Sequence, residues 1–264
     1  MSVAVHEVPR DRYRLRHAVA SEVAKLLTLP STATILGVTV VAALLVTGLA
    51  THNAAYHGGL GFDATQMALT GMIAAGLTGG VFGALLITAE YSSGTIRATL
   101  AATPRRPLLL AAKIGVTAAA TVVFCELLSL ACFFLGEGIL SGRGIPAASL
   151  ASPGSLRAVL MTGVFIALLA LMAFGLGLIC RSTAGAIASF AGVVFVLPLV
   201  MHAIAEADVR YLPTNILTNS VMATADQGRG PFSPVSPTIG LLLMAGYAAV
   251  ALAAGAVLFA KRDA

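Results

Sequence analysis

The sequence predicts an all-α polytopic membrane protein: six transmembrane helices, an amphipathic helix lying in the membrane interface ahead of them, and a short cytosolic helix between the second and third spans. Three observations predict it: composition, the length of the apolar runs and the uneven placement of basic residues. Of 264 residues, 58% are hydrophobic and 10% charged, and the mean hydropathy is +0.94. Soluble domains carry about 25% charged residues, so this chain could not cover a water-facing surface. The whole chain, 1–264, reads as one transmembrane domain.

A spanning helix needs about 20 predominantly apolar residues. Six segments qualify: 31–50, 65–89, 114–136 (interrupted by Glu126), 158–180, 182–205 and 237–260. Arg181 alone separates the fourth from the fifth, which predicts a very tight turn. An even number of spans puts both termini on one side. With that side cytosolic, 12 basic residues gather there (Arg10, Arg12, Arg14, Arg16, Lys25, Arg97, Arg105, Arg106, Lys113, Arg181, Lys261 and Arg262) against 4 outside (Arg143, Arg157, Arg210 and Arg229). This positive-inside bias predicts a multi-pass protein of the cell membrane with both termini in the cytosol. It also accounts for the net charge of +5 without nucleic acid as a partner.

Ahead of the first span, residues 11–29 place Leu15, Ala18, Val19, Val23, Leu26 and Leu27 mostly on one helical face, with Arg12, Arg16, Glu22 and Lys25 on a charged side and Pro30 as the stop. That pattern predicts the interfacial amphipathic helix. The amino-terminal stretch lacks the apolar run of a cleaved signal peptide and is expected to stay on the chain. The outer loop, 206–236, is long and carries Pro213, Pro231 and Pro234; a short helix near the outer surface, part of a lid, is expected there.

Inside the spans, Cys125, Cys132 and Cys180 fall in apolar runs without disulfide or metal spacing and read as packing residues. In the second span Gly76 precedes Gly80 by four, and Gly79 precedes Gly83 by four, which predicts close helix packing, within the subunit or across a dimer. Glu126 is read as a carboxylate deep in a span, a candidate for the substrate pathway or for pairing with a neighbouring helix. Pro198 removes a backbone donor and predicts a kink in the fifth span, a candidate gate. His52, His57 and Asp63 read as loop residues, and no metal or catalytic site is expected. Ser189 and His202 share one span but lie 13 residues apart, about 20 Å along a helix, too far for a nucleophile and its base.

The polar segment "EYSSGTIRATLAATPRRP", 90–107, interrupts the apolar runs on the cytosolic side. Ser92, Ser93 and Thr95 are candidate N-caps for a two-turn helix over "IRATLAAT", with Ile96 and Leu100 on one face. Pro104 disfavours its continuation, Pro107 stiffens the start of the next run, and Arg105 and Arg106 hold the turn in water.

Glu90, Gly94, Thr95, Ile96, Arg97, Leu100, Ala101, Pro104, Arg106 and Lys113 resemble a pattern of the permeases of ABC transporters of the type-2 export class. The resemblance implies a subunit forming half of an export pathway, working as a homodimer or heterodimer with two separate ATPase subunits. The loop would be the coupling helix: Glu90, Gly94, Thr95 and Arg97 entering or supporting the ATPase contact, Pro104 and Arg106 ending it, and Lys113 anchoring the third span at the interface. No G-x-x-x-x-G-K-[ST] phosphate cradle occurs, so ATP and magnesium are expected on the partner, and no cofactor on this chain. Apolar spans and short outer loops suit a hydrophobic or amphipathic small molecule, such as a drug or natural product. A lipid-linked glycan or peptide remains an alternative cargo, and a secondary transporter or membrane sensor an alternative class.

Overall fold

A computed structural model of the chain describes residues 15–54, 62–96, 106–204, 206–223 and 235–261, with backbone only at 106 and 206–208. Helix α1 (Leu15–Thr28) precedes α2 (Pro30–His52), and a short α3 (Ala64–Ala68) leads into α4 (Met72–Ser92). Helix α5 (Arg106–Gly142) is followed by α6 (Ser155–Cys180) and α7 (Thr183–Ala191). A π-helical turn (Gly192–Val196) joins α7 to α8 (Leu197–Ile204). A 3₁₀ turn (Glu206–Tyr211), α9 (Pro213–Val221) and α10 (Pro237–Lys261) complete the described chain.

Among the described residues, six helical segments are long and apolar enough to cross a membrane: α2, α4, α5, α6, the α7–α8 pair and α10. Helix α6 is the centre. Its most apolar stretch is 72% buried, against 17% for α2 and 22% for α10, and it packs on α4, α5 and α10. Side chains such as Phe165, Ile166, Leu169 and Phe174 are almost wholly enclosed there. The outer helices instead expose apolar stripes, for example Val38, Val41, Leu45 and Leu49 on α2, the surface expected of helices whose solvent is lipid.

Three features of the spans differ from the sequence expectation. The run 65–89 is not one helix. It breaks at residues 69–71, where Gly71 packs so closely on α2 that a Cβ there would lie 2.0 Å from Ala43 O. Met72 N then donates to Leu69 O, and Thr47 Oγ1 donates to Ala68 O, whose carbonyl a continuous helix would have bonded to Met72. The third helix is also longer than its apolar core: 37 residues rather than 114–136, about 55 Å against a bilayer of about 40–45 Å with its headgroups. Pro107 belongs to its first turn, where a missing N–H costs nothing.

The fifth span carries the third difference. Pro198, expected to kink it, follows the π turn. Proline offers no N–H to Val194 O four residues back, and Thr214 Oγ1 of α9 donates to that carbonyl instead. The turn between the fourth and fifth spans is as tight as the sequence predicts. Arg181 closes α6 in the left-handed conformation at φ 53°, its N–H donating to Gly177 O, with its guanidinium 5.5 Å from the centre of the Tyr91 ring.

Candidate functional site

Helix α1 lies against α5, and four charged side chains meet where it crosses the end of α4. Ala18, Glu22 and Lys25 recur at helical spacing on one face of α1, which turns them together toward the bundle. Lys113, seven residues into α5, is 2% exposed, and its Nζ lies 2.7 Å from Glu22 Oε2 and 2.5 Å from Glu90 Oε1. Lys25 Nζ lies 2.9 Å from Glu22 Oε1 and 2.9 Å from the same Glu90 Oε1. Two ammonium groups and two carboxylates thus alternate in a closed quartet, and each charge touches both opposite charges. Burying charge is costly unless each group is paired and hydrogen-bonded, and Lys113 donates to both Glu22 and Glu90.

The sequence pattern turns the charged side of α1 to water along with Arg16. Arg16 is exposed, but Glu22 is 7% exposed and faces the bundle. For Lys25, burial alone lowers the pKa, but hydrogen bonds and charge from Glu22 and Glu90 outweigh it and hold the ammonium above its ordinary value. Glu90 Oε2 is buried with no hydrogen-bond partner among the described residues.

The quartet borders the segment singled out by the sequence. Ser92 Oγ and Ser93 Oγ both donate to Ala89 O, closing the end of α4. Ser93 Oγ also bonds Thr95 Oγ1 at 2.9 Å. Gly94 takes φ 71°, a left-handed conformation that glycine adopts without strain. Ile96, expected to lie on one helical face with Leu100, is 3% exposed and packs with Ile87, Leu110, Phe174, Leu178 and Phe259. Its burial corrects the expectation that it offers a contact to a partner; it pins the segment to the bundle. Arg97, Leu100, Pro104 and Arg105 lie outside the described residues, and Arg106 begins α5.

The remaining candidates stand apart from the quartet. Glu126 lies against the α6 backbone, where a Cβ on Gly163 would come 2.6 Å from its Cδ; its Oε2 and the neighbouring Thr162 Oγ1 are buried without partners among the described residues. Gly83 and Gly80 make close contacts within the chain, their absent Cβ positions 2.0 Å from Ala170 O and from the Phe190 ring respectively, while Gly76 and Gly79 face Ile166. A second buried carboxylate, Glu137, was not singled out by the sequence because it lies just past the apolar run. Its Oε2 accepts from Ala148 N at 2.6 Å.

At the end of the bundle opposite α1, side chains tie the connections down. Asp63 accepts from Gln66 N and Ala223 N. Arg157 donates to Met222 O and Ala223 O, and Arg143 to Thr51 O and Ala54 O. His57 lies outside the described residues, and no group of three or more His, Cys, Asp or Glu that could hold a metal ion occurs among the described residues.

A family model described as "ABC-2 family transporter protein" matches residues 19–199, from within α1 to the start of α8. The quartet, residues 90–107 and Glu126 all fall inside the match; α9 and α10 lie beyond it. No curated protein matches the chain.

Proposed function

Since the chain belongs to the ABC-2 family of membrane transporters, we propose that it is the permease subunit of an ATP-driven exporter, forming half of the pathway and driven by a separate ATPase subunit. The observation that carries this reading is the quartet. Glu90 ends α4, Lys113 lies in the second turn of α5, and Glu22 and Lys25 belong to α1, so the two helices flanking residues 97–105 are locked to each other and to α1. A push on that segment from a docked ATPase would move three helices as one body. A connector serving only to link two spans would need neither the buried lysine nor the inward Ile96.

In this reading the α1 end is cytosolic, in keeping with the 12 to 4 distribution of basic residues, and the braced opposite end is external. Two copies, or this chain and a second permease, would enclose the pathway, and the cargo would be a hydrophobic or amphipathic small molecule. Glu126, which lies against α6 at Gly163, would either meet that cargo or serve the packing of α5 on α6. The family and the apolar spans support this choice, and a lipid-linked glycan or peptide is the competing cargo.

Purification of the tagged chain from its native membranes in mild detergent, with identification of co-purifying proteins, tests the reading. A stoichiometric ATPase with a phosphate-cradling loop is expected. A chain that emerges alone after gentle crosslinking would overturn it and favour a secondary transporter or a sensor.

A further inference from the structure

Two adjoining clefts meet at the quartet. One, of about 530 Å³, lies among α1, α2, α4, α5 and Phe174 of α6, and its polar lining includes the four quartet side chains together with the hydroxyls of Ser31 and Thr32. The other, of about 800 Å³, runs between α1 and α5 with an almost wholly apolar lining that includes Val19, Val23, Ala120 and Phe124. Leu26, Thr32, Phe82 and Val116 line both, so the two form one amphipathic space.

We propose that this space holds one bilayer phospholipid whose headgroup carries a primary ammonium, of the phosphatidylethanolamine type. The charges select a zwitterion. The quartet has no net charge, so a lone anion would meet two carboxylates and a lone cation two ammonium groups. Glu90 Oε2 is a buried carboxylate oxygen lacking a donor among the described residues, and a primary ammonium supplies N–H donors for it. Lys25, whose side chain keeps 35% of its exposure, and the hydroxyls of Ser31 and Thr32 are donors for the phosphate.

The apolar groove selects a chain-bearing molecule over a soluble zwitterion. Along α5 its lining runs from Ala111 to Leu127, about 24 Å of helix, longer than the roughly 15 Å of hydrocarbon in one leaflet. The rim opens where Leu15, Val23 and Leu27 of α1 and Val123 and Leu127 of α5 are exposed, the side on which lipid would stand. The bound lipid is a resident that fills the gap between α1 and α5. The assignment rests on the membrane fold and stands whether or not the chain exports.

The test uses the full chain purified in mild detergent. Native mass spectrometry with lipid extraction should find about one aminophospholipid per chain, enriched over the bulk membrane. After delipidation, vesicles of phosphatidylethanolamine should raise the thermal unfolding temperature at roughly tenfold lower lipid than phosphatidylcholine vesicles, whose trimethylammonium donates no hydrogen bond. Ala120→Trp, which fills the groove away from the quartet, should elute normally and lose the bound lipid. Lipid matching bulk composition, equal effects of the two headgroups, or full retention by a folded Ala120→Trp chain would each overturn the assignment. The headgroup comparison needs no variant and decides the question even if Ala120→Trp does not fold.

Discussion

Lys113 and Glu90, 23 residues apart in the chain, meet at 2.5 Å across the base of the one long polar interruption between apolar helices on the α1 side. The ion pair fixes the distance between the end of α4 and the start of α5. Its two partners from α1 make it a three-helix joint.

Removing the buried member of that joint should be far worse than removing the exposed one. Lys113→Met leaves Glu22 and Glu90 sharing only Lys25 and is expected to cost about 3–5 kcal/mol, the usual penalty for breaking a buried pair from one side. Lys25→Met, at a partly exposed position, should cost less than about 1 kcal/mol. Thermal unfolding of the purified variants in detergent measures the difference.

The Lys25 contribution has a defined pH range. Its pKa in the folded chain is raised above 10.5, so the stabilisation is fully present below that value and is lost as pH rises through the folded pKa. The stability gap between wild type and Lys25→Met should therefore be flat between about pH 7 and 9 and close only above about 10.5. A gap that closes in the neutral range would contradict the assignment of its partners.

Ile96 and Leu100 separate two roles that share one short segment. Ile96→Asp buries a charge in the cluster around Phe174 and should lower expression and thermal stability. Leu100→Asp should abolish ATP-driven transport while the chain still inserts into the membrane. Unchanged transport by Leu100→Asp would remove this segment from the coupling path.

Glu126 can be displaced without touching its chemistry. Gly163→Ala adds a Cβ that would sit 2.6 Å from Glu126 Cδ, forcing the carboxylate off α6. If the carboxylate faces cargo, Gly163→Ala and Glu126→Gln should both weaken transport of amphipathic cations at least tenfold more than that of neutral analogues, one factor of ten being about 1.4 kcal/mol. Equal losses for both cargo types would assign Glu126 to helix packing.

Thr214 and Pro198 should show coupled effects. Thr214→Val removes the Thr214 Oγ1 bond to Val194 O and is expected to cost about 1 kcal/mol. Pro198→Ala restores a backbone donor near that carbonyl, so the double variant should recover part of the loss. A strictly additive result in thermal unfolding would mean that the Thr214 bond does not compensate for the proline.

The spans were legible because an apolar run of about 20 residues has few other uses, and the terminal residues of α10 and α6 lie close to the ends of the runs. What the sequence obscured depends on meetings between distant segments. Glu22 and Lys25 look like an ordinary wet face of α1 until Lys113, 91 residues from Glu22, is brought beneath them. The break before Met72 is invisible in an apolar run, as is the close approach of Gly71 to the Ala43 carbonyl of another helix. Glu90 and Lys113 stand out by resemblance to a family pattern, which names the positions without naming their partners. Ile96 shows the limit of a helical-face argument: a two-turn pattern gives a face, and only packing decides which way it points.

The central claim is that residues 97–105 receive the force of a separate ATPase. The most direct test is a cysteine at Leu100, with Cys125, Cys132 and Cys180 replaced by alanine, crosslinked in native membranes in the presence and absence of ATP. The account predicts a crosslink to one ATPase polypeptide whose yield changes with nucleotide, and none from a cysteine placed at Ser149, at the other end of the bundle. A crosslink from Ser149 with none from Leu100 would contradict it.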